Sequence, residues 1–191
     1  MPNWTTNDVT IKADAETVAK IKAECFDSEG NFDFETLIPF PEGFDKALTS
    51  GSDDMAYDVV YGDWNSVAMY PWMGTVSRED TVTKLRANFA ARGADLDTLA
   101  EGYKRNVELT GHKTWYEWCT DNWGTKWNAC ETSLRPSNEE ALVFTFSTAW
   151  REPTPVFEAL HAKYPSAYIR VVCEHEGDDS ITGHKYYPDE D

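Results

Sequence analysis

Basic residues are scarce in this chain: 17 Lys and Arg stand against 34 Asp and Glu, a net charge of −17 over 191 residues. Binding a polyanion relies on Lys and Arg that release its counterions, so direct nucleic-acid binding and attachment to anionic membrane are not expected. A basic protein is the favoured partner. No apolar run approaches the 18 residues of a spanning helix, and the opening MPNWTTNDVT lacks the basic and apolar regions of a secretory leader, so the expected location is the cytoplasm. Cysteine is sparse and scattered (Cys25, Cys119, Cys130, Cys173) with no C-x-x-C pair, which reads as reduced, mostly buried thiols and not as a zinc or iron–sulfur site. No nucleophile elbow, Walker loop, dinucleotide fingerprint or H-E-x-x-H is present. His112 and His161 have no Ser or Cys at a recognisable spacing. The expectation leans away from an enzyme without deciding it, and no cofactor is expected.

Aromatic residues are plentiful, with eight Trp among a 14% aromatic share. A length of 191 residues suits one α+β domain that buries about two-thirds of its unfolded surface. WTTNDVTI (4–11) alternates as a strand, and Asp14 can cap a helix over 15–26 that carries Val18, Ile21 and Cys25 at helical spacing. FDFETLIPFP (32–41) reads as a second strand ended by Pro39 and Pro41. In the closing third, ALVFTFSTAW (141–150), SAYIRVVCEHE (166–176) and ITGHKYY (181–187) are strand-like, and Thr154-Pro155 starts a helix to about Tyr164. With a strand begun at Lys126, this order predicts a ferredoxin-like split β-α-β sandwich with an added edge strand, built from 1–41 and 113–191.

Residues 42–112 read as an insertion. TSGSDDMAYDVVYGDWNSVAMYPWMG mixes loop with short strands, and a helical hairpin follows. Its first helix opens at Ser77 with Asp80 and closes at Gly93; its second runs from Asp95 to Gly111.

NWGTKWNA (122–129), LVFTFSTAWREPTPVFEAL (142–160) and a terminal G-x-x-Y-like strand resemble the YubB ferredoxin-like domain family of phage and plasmid proteins. The opening N-x-V-x-I and FDFETLIPFP fit as well, while much of 42–112 lies outside the resemblance. The resemblance implies a fold, a bacterial host cytoplasm and a mobile genetic element. It supplies no catalytic residues, and "ferredoxin-like" there names a topology without a cluster.

Two sets of residues are candidate sites. TWYEWCTDNWG (114–124) reads as a short helix, and Trp123 and Trp127 flank the turn that leads into the strand KWNACETSL. With Trp150 they read as the corner of a packed core or as a ligand groove rimmed by Asn122, Lys126 and Asn128. The acidic Asp53, Asp54, Asp58, Asp63, Glu176, Asp178 and Asp179 are candidates for a basic partner. A hairpin could also bring His175 near His184 beside Asp178 and Asp179, but the spacing matches no metal motif and no metal is assigned. The expected function is that of an acidic accessory protein that binds a host protein, as a nucleic-acid mimic or anti-defence factor. The alternative is a small-molecule binder or unrecognised enzyme that uses the Trp123–Trp127 corner.

Overall fold

A computed structural model describes residues 2–51, 53–68, 77–177, 181–186 and 188. The chain divides into two compact units, residues 1–40 with 119–191, and residues 41–118.

The first unit is built on β1 (Trp4–Lys12), α1 (Ala15–Glu24), β2 (Cys130–Arg135), β3 (Ala141–Ala149), α7 (Thr154–Lys163), β4 (Tyr168–His175) and β5 (Ile181–Tyr186). The strands form one antiparallel sheet in the order β2-β3-β1-β4-β5, so the α+β class expected from the sequence holds. Odd-numbered residues of β1 and β4 and even-numbered residues of β3 point to one face, where Val9, Ile11, Phe144, Phe146, Ile169 and Val171 are buried. Val18 and Ile21 of α1 and Val156, Phe157 and Leu160 of α7 are buried with them. Asp14 caps α1 as its position predicts, its carboxylate accepting from the Thr17 amide at 2.8 Å. In α7 Pro153 takes the cap position, and Thr154, expected as the cap, is the first helical residue.

Residues 32–41 depart from the expected strand. They hold a single bridge from Phe32 to Phe26 and a 3-10 turn at Phe34–Thr36. The alternation that suggested a strand is real in its burial: Phe32 and Phe34 are fully buried, edge-on to one another and against Phe144 and Phe146. Their backbone amides go to side chains, Thr132 Oγ1 for Phe32 (3.1 Å) and Asn128 Oδ1 for Phe34 (2.9 Å), where a strand would use a ladder.

The second unit holds α2 (Met55–Val60), α3 (Trp64–Ala68), α4 (Arg78–Ala91) and α5 (Leu96–Thr110); α6 (Trp115–Asn122) crosses its boundary with the first. The short strands expected before residue 69 are helices α2 and α3, and 69–76 lies outside the described residues. Ala56, Phe89, Leu96 and Ala100 form one buried cluster, flanked by Val82, Leu85 and Leu99. Ser77 and Asp95 accept from the Asp80 and Thr98 amides as helix caps, and Gly111 ends α5 at φ 81°. Asn106, fully buried, fixes the flanking chain: its Oδ1 accepts from the Asp45 amide and its Nδ2 donates to the Asp45 and Lys113 carbonyls.

Candidate functional site

The Asn122–Trp127 turn is made by the end of α6. The Trp123 amide bonds back to the Cys119 carbonyl at 2.8 Å, and Gly124 then takes φ 78°, a left-handed conformation that reverses the chain. Trp123 is driven inward. It is 3% exposed, donates its indole N–H to the Ile38 carbonyl at 2.9 Å, and stands edge-on to Phe34 and Phe40. Thr125 donates to the Ala149 carbonyl at 2.8 Å, which ties the turn to the end of β3. Asn128 accepts from the Phe34 and Ala129 amides and donates to Asp33 at 2.7 Å. The ladder partner expected from Lys126 onward begins only at Cys130, because 126–129 is occupied by this side-chain bonding.

The rings therefore separate into two groups. Trp123 and Asn128 belong to the packing, and Asn122 is the last residue of α6. Lys126, Trp127 and Trp150 come together at the surface with Trp4, which sequence reasoning did not include. Trp4 and Trp127 have ring centroids 6.1 Å apart, and the Lys126 ammonium lies 4.5 Å from the Trp127 centroid and 5.4 Å from that of Trp150. A signal for Trp4 was present: in WTTNDVTIK it shares the polar face of the strand with Thr6 and Asp8, an unusual position for an indole.

Trp150 is the outlier. It follows β3, is 45% exposed, and adopts φ 74°, which bulky L-residues rarely occupy. Its amide donates to the Asn3 carbonyl at 2.8 Å, and Thr148 donates to the Arg151 carbonyl at 2.9 Å, so bonds on both sides of it fix the bend. The result is a Lys126 cation facing two indoles, a contact worth about 0.5–1 kcal/mol at an exposed site.

Behind this corner, on the helix-covered face, runs a polar network. Asn7 donates to Thr148 Oγ1 (2.9 Å) and to the Thr5 carbonyl (3.1 Å), the Cys173 thiol donates to Asn7 Oδ1 (3.3 Å), and Thr5 Oγ1 meets His175 Nδ1 (3.1 Å). His175 Nε2 and His184 Nε2 lie 3.5 and 3.7 Å from the two oxygens of Glu152. The hairpin thus brings both imidazoles to one carboxylate, that of Glu152 in the β3–α7 connection. Asp178 and Asp179 lie outside the described residues. Among the described residues no three His, Cys, Asp or Glu side chains are arranged to hold a metal ion. Burial pushes the Cys173 thiol up to about 12 and raises Cys25 and Cys130, so these sulfurs stay protonated near neutrality.

The acidic candidates largely serve local structure. Asp53 pairs with Arg92 at 3.2 Å, and Asp58 receives the Lys113 ammonium on both oxygens at 3.0 and 3.2 Å. Asp63 accepts from the Asn65 amide at 3.0 Å, and Glu176 accepts from the Trp4 amide at 2.8 Å. Burial raises the Asp54 carboxyl against the opposing pull of Lys113.

No family model matches the chain, and no curated protein matches it. Among solved structures it is similar to protein api92 from Yersinia pseudotuberculosis, assigned to the family DUF1281, at 13% identity and a TM-score of 0.52, with 98% of this chain and 95% of that chain covered. At that identity the likeness speaks for the fold alone.

Proposed function

We propose that the protein acts by binding, through the indole corner of Trp4, Trp127 and Trp150 around Lys126. The observation that carries this is Trp150, a large apolar ring held nearly half exposed on a left-handed backbone by bonds on both sides. A conformation that costs about 1–3 kcal/mol persists where surrounding structure over-determines it, and such positions gather at binding sites. The corner would take a planar ligand by stacking, with the cation nearby for its polar edge. In a thermal-shift series with nucleotides and aromatic metabolites, a ligand that stabilises the wild type should lose that effect in Trp150→Ala and Lys126→Ala. Stabilisation that survives both substitutions contradicts the reading.

The strand order β2-β3-β1-β4, with α1 and α7 as the connections between non-adjacent strands, supports a ferredoxin-like core with β5 as its added edge. This is the topology that the resemblance to the YubB family implies, and a phage or plasmid setting in a bacterial cytoplasm is proposed on that resemblance alone. A second reading is favoured by charge: even if every Lys and Arg were paired, 17 carboxylates would remain uncompensated. In that reading the chain is an acidic accessory protein that engages a basic host protein as a nucleic-acid mimic or anti-defence factor. Retention of one basic nucleic-acid-handling protein from lysate, lost at raised salt and on charge reversal of the acidic surface, is its expected signature. Retention indifferent to salt contradicts it.

A further inference from the structure

The face of the sheet opposite α1 and α7 carries a charge pattern that reverses that of the chain. By register its outward positions include Lys12 on β1, Arg135 on β2, Arg170 on β4 and Lys185 on β5, all exposed, against the carboxylates Asp8 and Glu174. Acids outnumber bases two to one over the whole sequence, whereas here the four bases stand against three carboxylates, Asp8, Glu174 and, beside Trp4, Glu176. Asp8 is already engaged by Arg135 at 2.8 Å. Arg170 and Lys185 stand directly opposite one another on β4 and β5, and Lys12 lies diagonally from Arg170 across the β1–β4 pair.

Like charges placed directly opposite on neighbouring strands are destabilising. In a chain with a surplus of 17 carboxylates, any one of these positions could have been neutralised by a neighbour. None of Lys12, Arg170 and Lys185 has an ion pair to a carboxylate among the described residues. Among the described residues this cluster lacks a counter-charge, which suits a surface that an anionic ligand neutralises.

The same face is continuous with the indole corner. Trp4 shares the outward side of β1 with Thr6, Asp8, Thr10 and Lys12, and the Arg170–Lys185 pair lies at the level of Thr10, about 20 Å along the strand from Trp4. Aromatic rings at one end and a cluster of cations at the other, on an open sheet, match a flexible polyanion whose bases are free to stack. A duplex hides its base faces, and an acidic peptide makes no particular use of the indoles.

We propose that this open sheet face, from the indole corner to the Lys12–Arg170–Lys185 cluster, binds single-stranded nucleic acid. The proposal rests on the binding role of the corner and names its ligand. The global charge acts against it only weakly, since fields from charges more than about 8 Å away are largely screened at physiological salt, whereas phosphate contacts at the face are local.

The test is fluorescence anisotropy of the full chain with labelled oligouridylate and oligothymidylate of about a dozen nucleotides, a length within the usual site sizes of single-strand binders. Binding should weaken about tenfold in the double variant Arg170→Glu with Lys185→Glu, weaken in Trp150→Ala, and stay unchanged in Lys84→Glu with Arg105→Glu, an equal charge reversal on α4 and α5. Should the double glutamate variant fail to fold, Arg170→Gln with Lys185→Gln removes the like-charge pair, and must weaken binding while keeping or raising the melting temperature. No binding of either oligonucleotide at low salt overturns the proposal, as does binding indifferent to the Arg170 and Lys185 variants. Variant-sensitive binding of polyglutamate without oligonucleotide binding also overturns it, in favour of an acidic protein partner. If oligonucleotides fail while a small planar ligand still stabilises through Trp150 and Lys126, the corner reading stands and this inference falls.

Discussion

Trp150 sits at φ 74°, where an L-residue pays a steric penalty of about 1–2 kcal/mol that glycine does not. Comparing Trp150→Gly with Trp150→Ala separates backbone from ring, since both lose the indole and only one relieves the strain. The glycine variant should be more stable than the alanine variant by about 1 kcal/mol in urea titration, and both should lose ligand binding. Equal stabilities would mean the backbone stores no strain there. Asp54 makes a second residue-scale prediction through its raised carboxyl pKa, caused first by burial. With the folded value above the unfolded one, its ionised form opposes folding at neutral pH, and that penalty disappears as pH falls through the raised value toward the ordinary range near 4. Asp54→Asn should therefore raise the melting temperature at pH 7 and show no advantage below about pH 4. A gain that persists in acid, or a loss at neutrality, would contradict the sign.

At the scale of elements, the turn from α6 to β2 is held by Trp123, whose ring is buried and whose indole N–H is satisfied by Ile38. Trp123→Ala should cost about 3–5 kcal/mol by chemical denaturation, whereas Trp127→Ala, at the half-buried surface, should cost far less; the reverse order would place the core elsewhere. Much of the element list was legible. Helix ends at Asp14, Ser77, Asp95 and Gly111 follow from local capping chemistry, and β1, β3 and β4 follow from alternation against one buried face. Residues 32–41 were not. Phe32, Phe34 and Leu37 carry a strand's spacing, but what decides their backbone is Asn128 and Thr132, 94 and 100 residues away, which take the amides a ladder would have used. Helices α2 and α3 were hidden for a different reason: Gly, Asp and aromatic residues give them weak local propensity, and the Ala56 and Val59 clusters supply what propensity lacks. The candidate site was legible in part, since Lys126, Trp127 and Trp150 come together; Trp4 joins them only through pairing with Ala149 across the sheet.

For the molecule as a whole, the sequence shows a surplus of negative charge and the fold shows where it is interrupted. The carboxylates are spread over both units, many of them occupied as caps or ion pairs. The cations on the open face of the sheet, at the end away from the indoles, are set against one another. Composition averages over that arrangement, which is why net charge alone pointed away from anionic ligands. The central claim, binding through the indole corner, is tested most directly by following the indole N–H resonances of the eight tryptophans during titration with a ligand that stabilises the protein. The account predicts shifts for Trp4, Trp127 and Trp150, with Trp118 and Trp123 unmoved in their buried settings. Shifts confined to other tryptophans, or none at saturating ligand, would contradict it.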